Sequence, residues 1–394
     1  MRELIKNNPI ISAFSLILTL IAMHTAIGAI GNLPSYYTVI TGIGILCILF
    51  FSEFPKLYTP ILLFLVYIGF ALLLSDPSPI FNAWARFFAF VAIITIVSPM
   101  IQNENLRILR RLCLYEVITL CIILSFISFF CFFLGINYMT YEANAEFTDK
   151  GGLFSGMTNH SIMLGIISGI SVCVLLYKSI TSKWIWIVPM IPCLGSLALS
   201  ASRGALIATI IASIVIMLMS RRCMRNMGRI WFVAIAVLCI SAYAVTNTNI
   251  MDGFISKVSE RDEMSLFDAR EHKIKYRIEE FKSSPIIGVG FSTVDPTLGD
   301  AYNSKNGTIE PGSSWFAILS MTGIVGLLLC LGIFFQAILT QWRERTYNSI
   351  LLLGLFAFFA VSFASEGYIF AAGSPLCFIF WLLLGNCIDR RYEE

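Results

Sequence analysis

Twelve apolar runs separated by short polar turns are the feature that most limits how this chain can fold. Runs of this kind can cross the hydrocarbon core of a bilayer, where the backbone must satisfy its own hydrogen bonds, so they form helices. Charged residues make up only 13% of the chain, about half the share of a typical soluble domain. The sequence therefore predicts an all-α, polytopic membrane helix bundle with about twelve transmembrane helices, at residues 10–29, 38–52, 59–75, 83–101, 112–136, 159–177, 184–200, 203–220, 229–247, 312–340, 349–364 and 367–387.

The distribution of lysine and arginine predicts the orientation of the bundle, because cytoplasmic loops are enriched in these residues. With the N-terminus inside, 16 of the 27 cations fall in cytoplasmic segments and three in short outer loops. The other eight lie in one long loop, and long loops cross the membrane regardless of charge. We therefore expect a multi-pass protein, surrounded by the lipid bilayer, with both termini cytoplasmic. The net charge of +3 follows from this asymmetry and indicates no nucleic-acid partner.

One polar stretch interrupts the apolar pattern. Positions 249–312 hold 19 of the 51 charged residues, which indicates that the chemistry lies in this stretch. The chain then divides into residues 1–248 with nine transmembrane helices, a long outer loop at 249–311, and residues 312–394 with three more helices and a cytoplasmic tail.

Within the long loop, residues 268–282 predict an amphipathic helix. Its apolar stripe consists of Ile274, Ile278 and Phe281, and a neighbouring cationic stripe consists of Arg270, Lys273 and Arg277. Such a helix lies at an interface with its cations toward anionic groups, which are either a bound substrate or lipid phosphates. Gly288 and Gly290 follow the helix, and we expect them to let the backbone approach a ligand closely.

Three motifs in this order resemble the O-antigen ligase and polymerase superfamily. They are SASRGA at 200–205, Arg-X10-Gly at 277 and 288, and PGSSWFAILSMTGIVG at 311–326. The resemblance covers residues 150–340 well and the first four spans by general pattern. It implies a glycosyltransferase of the bacterial inner membrane that acts on undecaprenyl-diphosphate-linked glycan at the periplasmic face. A chain-length regulator protein is the implied partner.

The residues of the predicted outer face suit that chemistry. A diphosphate leaving group needs its charge met by fixed donors, and arginine supplies them in a bidentate, permanently ionised form. Arg277 and Arg203 are the predicted diphosphate-binding residues, with Arg86 as a further candidate. For Arg203 and Arg86 the alternative role is snorkelling to the interface. Substrate contacts are also predicted for Arg270, Lys273, Gly288, Gly290, Ser313 and Glu366.

The attacking sugar hydroxyl must lose a proton, so the site also needs a base. The candidates are Glu310, just before the PGSSW motif, His160 in GMTNHS, and Glu366 at the start of the last span. For Glu310 a solvated loop carboxylate is the alternative, and for His160 an interface histidine.

No metal or other cofactor is expected. The acidic residues Glu260, Asp262 and Glu263 could hold a cation, but they lack a D-x-D pattern, which favours a solvated turn. The sequence also has no CxxC pair and no His/Cys cluster.

One departure from the family pattern separates polymerase from ligase. The ligase signature is His-[Asn/Ser/Gln]-X9-Gly-X2-[Gly/Thr/Tyr], and alignment on Gly323 and Gly326 puts Gly312 in the place of the histidine and Ser313 beside it. Arg-X10-Gly is associated with the polymerases. The sequence therefore favours a repeat-unit polymerase, with an O-antigen ligase acting on lipid A core, or a non-enzymatic polysaccharide flippase, as the alternatives.

Overall fold

The computed structural model describes residues 2–28, 30, 36–51, 56–75, 77–138, 154–220, 266–295, 309, 311–344 and 346–389. The described chain is almost entirely helical, with α1 Arg2–Asn7, α2 Pro9–Met23, α3 Tyr36–Phe51, α4 Thr59–Ser75, α5 Ala83–Val97, α6 Glu104–Phe133, α7 Ser161–Thr181, α8 Ile187–Leu199, α9 Arg203–Met219, α10 Leu266–Ser283, α11 Ser314–Glu344, α12 Tyr347–Ser362 and α13 Pro375–Ile388. Short 3-10 helices occur at His24–Ala26, Pro79–Phe81 and Trp184–Trp186. Two short antiparallel strands, β1 Lys56–Leu57 and β2 Ile101–Gln102, pair Lys56 with Gln102.

Apolar helices lie over every predicted run except 229–247, which lies outside the described residues. Five of them are long and apolar enough to cross a bilayer: Pro9–Ala26, Pro79–Val97, Glu104–Phe133, Ser161–Thr181 and Ser314–Glu344. The others are shorter than a full span. The chain is therefore an all-α membrane protein, and the predicted number of twelve transmembrane helices stays a prediction.

The last helix begins eight residues later than the predicted run, which started at position 367. Ser374 caps α13 by accepting a hydrogen bond from the amide of Leu376 at 3.3 Å, and Pro375 stands at the first helical position, where its missing N–H is harmless. The residues before Ser374 form turns in which Tyr368, Ile369, Phe370 and Ala372 are buried. Hydropathy extended the predicted span into these turns because it does not distinguish a buried turn from a helix.

α13 is the central helix of the bundle. It packs against α5, α6, α11 and α12, and each of its residues except Asn386 is buried. Trp381, on this helix, is completely buried and makes ring contacts with Phe64, Phe90 and Phe380. A helix that is apolar on all sides is expected at the centre of such a bundle.

A buried ion pair fixes the C-terminal end of α13. Arg110 of α6 binds both carboxylate oxygens of Asp389, at 2.7 and 2.9 Å, and also donates to the carbonyl of Ser98 at 3.2 Å. The bidentate geometry satisfies both partners, which a buried charge pair requires. This end of the bundle is the predicted cytoplasmic end, since Arg107 and Lys56 lie there as well.

Candidate active site

Several helix termini meet at the opposite end of the bundle, which we call the α10 end because α10 lies there. The segment after α10 contacts the C-terminus of α4 at Ser75 and the start of α5 at Arg86. Gly204, at the start of α9, contacts Ser365 after α12. The predicted topology places this end on the outer face, where sequence reasoning expects the chemistry.

Arg277 is buried in an ion pair at the α10 end. Its side chain is 2% exposed, and Nη1 donates to Oε2 of Glu280 at 2.8 Å. The same nitrogen lies 3.4 Å from the carbonyl of Thr293 and 3.3 Å from Oγ of Ser320. Burial lowers the pKa of the guanidinium, and the adjacent Glu280 carboxylate opposes this shift. Arg277 therefore joins α10, the segment after it, and α11.

Glu280 completes this junction. Its Oε1 accepts a hydrogen bond from the amide of Asp295 at 3.1 Å, and its side chain is fully buried. The predicted helix over 268–282 is present as α10, and the anionic group that Arg277 faces is the carboxylate of Glu280 in the protein itself. Arg277 faces the protein because the carboxylate one turn away neutralises it there. Its predicted contact with a diphosphate stays a prediction.

Residues 285–295, which we call the glycine turn, pass directly across α11. The amide of Val289 donates to the carbonyl of Ser320 at 2.9 Å, and the amide of Ile324 donates to the carbonyl of Pro285 at 2.9 Å. Between these bonds α11 is broken at Gly323, whose φ of 64° and ψ of −170° are not helical. The backbone groups that the break frees thus bond to the glycine turn, as membrane-embedded backbone requires.

Two motif glycines make this crossing possible. A Cβ on Gly288, whose φ is +76°, would lie 2.5 Å from the carbonyl carbon of Met321, and one on Gly323 would collide with the carbonyl of Ile286. Only glycine tolerates both the left-handed conformation and this backbone contact. Arg277 and Gly288, the two ends of the Arg-X10-Gly motif, therefore both contact the same turn of α11. At Gly288 the backbone of the glycine turn approaches the backbone of α11, whereas the sequence predicted a close approach to a ligand.

The glycine turn also packs on α4 and α5. Gly290 is buried against the Ser75 side chain, and Phe291 is completely buried against Phe87 and Phe90. Half-buried Arg86 donates to Oγ of Ser292 at 3.3 Å. Arg86 and Arg277 therefore hold consecutive residues of one segment, although they are far apart in sequence.

Ser313 has a structural contact. It is completely buried, and its hydroxyl donates to the carbonyl of Phe363 at 2.8 Å. The adjacent Ser314 donates from its hydroxyl to the carbonyl of Glu366 at 2.7 Å. These bonds fix the start of α11 to the turn after α12. The hydroxyl of Ser313 is therefore not accessible to the predicted substrate in this structure.

Arg203 and Glu366 belong to one neighbourhood. Arg203 is exposed at the first position of α9, and the next residue, Gly204, packs against Ser365. Glu366 follows Ser365 and is half-buried, with its backbone held by Ser314. The structure thus brings an exposed cation and a base candidate to adjacent turns.

His160 caps α7 on the same side of the bundle. Its Nδ1 accepts a hydrogen bond from the amide of Ile162 at 3.0 Å. An imidazole that accepts at Nδ1 carries its proton on Nε2 when neutral, so the ring offers a donor there. Gly165, one turn into α7, contacts Ser202 beside Arg203. His160 therefore lies on the side of the bundle that carries Arg203, and its predicted role as a base stays a prediction.

Some of the remaining predicted residues lie within the described ranges and others lie outside them. Lys273 is half-buried and packs against Gly312, where a Cβ would lie 2.9 Å from Cβ of Lys273. Glu310, the side chain of Arg270 and the acidic cluster at 260–263 lie outside the described residues. Within the described ranges, no group of three His, Cys, Asp or Glu residues could hold a metal ion.

Sequence reasoning missed Glu280 as a site residue. The signal was present, since Glu280 stands three residues after Arg277 on a helix, the spacing of an ion pair. It also missed the break at Gly323, because a lone glycine in an apolar run does not by itself predict a broken helix.

Comparison with known protein families supports the resemblance drawn from the motifs. No curated protein matches the chain. A family model described as O-antigen ligase matches residues 188–331, a range that includes α8, α9, α10, the glycine turn and the first part of α11. Over residues 188–331 the chain is therefore similar to the O-antigen ligase family, in agreement with the resemblance that the motifs carry.

Proposed function

We propose that this protein is a polymerase of lipid-linked oligosaccharide repeat units at the outer face of the bacterial inner membrane. It transfers the growing glycan from undecaprenyl diphosphate onto a hydroxyl of an incoming repeat unit. The new bond joins that hydroxyl oxygen to the anomeric carbon, and the bond from this carbon to the diphosphate breaks. The hydroxyl proton passes to a base, and the diphosphate lipid leaves.

The conformation of Gly312 is the observation that favours polymerase over ligase. Its φ is +72°, and it stands where the ligase signature has a histidine. A side chain at this φ is strained, and a Cβ would press on Lys273. The position is therefore built for glycine, and the chain has no imidazole at the ligase place.

The exposed Arg203 is the residue best placed to meet the diphosphate. It lies on the surface at the α10 end, where a permanently charged guanidinium can bind two phosphate oxygens. Arg277, with its buried ion pair, is a positioning residue that fixes the glycine turn. Lys273 and Arg86 add positive charge around the same end, and Arg270 stays a candidate from the sequence.

Glu366 is the base that this geometry favours. It lies beside Ser365, which contacts the glycine that follows Arg203, so a carboxylate and a cation flank the same surface. Glu310 is the second candidate from sequence. His160, whose Nδ1 accepts the hydrogen bond that caps α7, is the third candidate from sequence.

The two alternative functions, ligase and flippase, require different residues. A ligase needs a lipid A core acceptor and a base at position 312. A flippase would be expected to carry cations in the middle of its spans, whereas lysines and arginines in the described apolar helices lie near the helix ends. A chain-length regulator is proposed as the protein partner.

Purified protein in nanodiscs, given only undecaprenyl-diphosphate-linked repeat units and EDTA, tests the proposal. A polymerase extends the units into a ladder without nucleotide sugar, ATP or divalent ion, because the donor already carries its leaving group. Transfer of a single repeat unit to added lipid A core, with no chain extension, would identify a ligase. Strict dependence on Mg²⁺ or Mn²⁺ would contradict the metal-free mechanism and direct attention to Glu260, Asp262 and Glu263.

A further inference from the structure

A cleft of about 310 Å³ opens at the α10 end, between the end of α4 and the glycine turn. One wall consists of Leu74, Ser75, Pro77 and Ser78, and the other of Ser284, Ile287, Gly288, Val289, Thr293, Val294 and Asp295. Its volume is at the lower end of the range for small-molecule sites. None of the predicted cationic residues lines it.

Three of the five polar side chains that line the cleft, those of Ser75, Thr293 and Asp295, present hydrogen-bond acceptors. The hydroxyl of Ser75 already donates to the carbonyl of Leu72 at 3.1 Å, and that of Thr293 donates to the carbonyl of Gly290 at 2.7 Å. Both oxygens are left as acceptors, and the carboxylate of Asp295 is an acceptor as well. An ionised phosphate, which has no proton to donate, is therefore a poor ligand for this cleft.

Apolar side chains alternate with these acceptors. Leu74 and Pro77 belong to one wall of the cleft, and Ile287 and Val294 belong to the other. A ligand that carries many hydroxyl donors around a compact C–H framework matches both parts of this lining. Sugar rings have that chemistry.

The ion pair of Arg277 and Glu280 fixes one wall of the cleft. Arg277 binds the carbonyl of Thr293, and Glu280 accepts from the amide of Asp295, so both residues hold backbone of the lining. Gly288 completes the wall through its contact with α11. The Arg-X10-Gly motif thus shapes the cleft without exposing its own charge.

We infer that this cleft is a subsite for an uncharged sugar ring of the glycan chain, separate from the cationic surface around Arg203. The inference rests on the proposed function, since it assigns the cleft to the glycan and the arginine surface to the diphosphate. Ser284 and Asp295 lie on the wall that the ion pair holds, and they are the residues through which the subsite can be tested.

Binding of the free repeat-unit oligosaccharide, released from its lipid by mild acid, tests the subsite directly. Saturation-transfer NMR on the full-length protein in nanodiscs measures the interaction without any turnover. We expect Ser284→Trp to abolish binding by filling the cleft, and Asp295→Asn to weaken it about tenfold or more, as loss of a charged acceptor does. Ser283→Trp is the matched control, because Ser283 precedes the lining and bonds the carbonyl of Glu280, and it should bind as the wild type does.

Inorganic diphosphate added in excess should leave this binding unchanged. Displacement of the oligosaccharide by diphosphate, or unaltered binding in a folded Ser284→Trp variant, would overturn the subsite. Absence of oligosaccharide binding in a wild-type protein that still extends chains would overturn the subsite alone. A failure of chain extension with binding intact would instead overturn the polymerase assignment.

Discussion

Arg277 and Glu280 form a buried ion pair, 2.8 Å long, one turn apart on α10. The pair joins the glycine turn through Thr293 and Asp295 and joins α11 through Ser320. Nη2 of Arg277 is also buried and has no hydrogen-bond partner among the described residues. Because Nη1 bonds a carboxylate and Nη2 does not, the buried guanidinium charge depends strongly on this single carboxylate. Glu280 is therefore as important to this junction as Arg277.

Removal of the Glu280 charge should therefore destabilise the protein. We expect Glu280→Gln to lower the free energy of unfolding by about 3–5 kcal/mol, because it leaves the Arg277 charge buried without a partner. Thermal unfolding of the detergent-solubilised protein measures the effect. Glu279→Gln, at the adjacent exposed position, is the control and should unfold like the wild type. Equal behaviour of the two variants would contradict a structural ion pair.

The crossing of the glycine turn over α11 makes a second prediction. Gly288→Ala and Gly323→Ala should each prevent accumulation of folded protein, since both positions have positive φ and their Cβ atoms would collide with backbone. Gly332→Ala lies on the same helix, where a Cβ meets nothing within 4 Å, and should be neutral or stabilise by up to about 1 kcal/mol. Fluorescence-detected size-exclusion profiles compare the three, and a normal profile for Gly288→Ala would refute the packing argument.

Arg203 should affect catalysis and leave stability unchanged. We expect Arg203→Ala to reduce glycan extension about 100–1000-fold, the loss typical when a charge-stabilising donor to a transition state is removed. Its melting temperature should match that of the wild type because the side chain is exposed. Arg343→Ala, an exposed arginine in the last turn of α11, serves as the control. Normal chain length in Arg203→Ala would leave only an interfacial role for this residue.

The orientation of the bundle can be tested with enzyme fusions. Alkaline phosphatase fused at Asp300 should be active, and the same enzyme fused after Arg345 should be inactive, because the cation asymmetry puts the long loop outside and the α11–α12 turn inside. The reverse pattern of activity would invert the topology and move the α10 end to the cytoplasm.

Hydropathy predicted the helices well because a bilayer permits few alternatives for apolar backbone. It could not predict where α13 begins, since that depends on the Ser374 cap and on turns buried by neighbours. The motif spacing selected Arg277 and Gly288, which both contact α11, and gave both a ligand-facing role. Their actual contacts depend on the break at Gly323, some 35 residues beyond Gly288 in sequence, and no local pattern reports such a contact.

The positions of Arg86, His160, Arg203 and Glu366 at the ends of predicted spans indicated that these residues gather at one end of the bundle. The sequence could not predict which of the polar side chains are exposed. Arg203 and Arg277 are chemically identical, and only the nearby Glu280 and the overlying glycine turn make one buried and the other accessible.

The central claim, that the chain polymerises repeat units, is tested most directly by the surface glycan of a strain that lacks the gene. Gel electrophoresis of its lipopolysaccharide, beside that of the wild type, should show core capped with a single repeat unit, because ligation continues on unpolymerised donors. A bare core with full-length polymer retained on undecaprenyl diphosphate would contradict this account and identify a ligase. A bare core with single units confined to the cytoplasmic face would contradict it equally and identify a flippase.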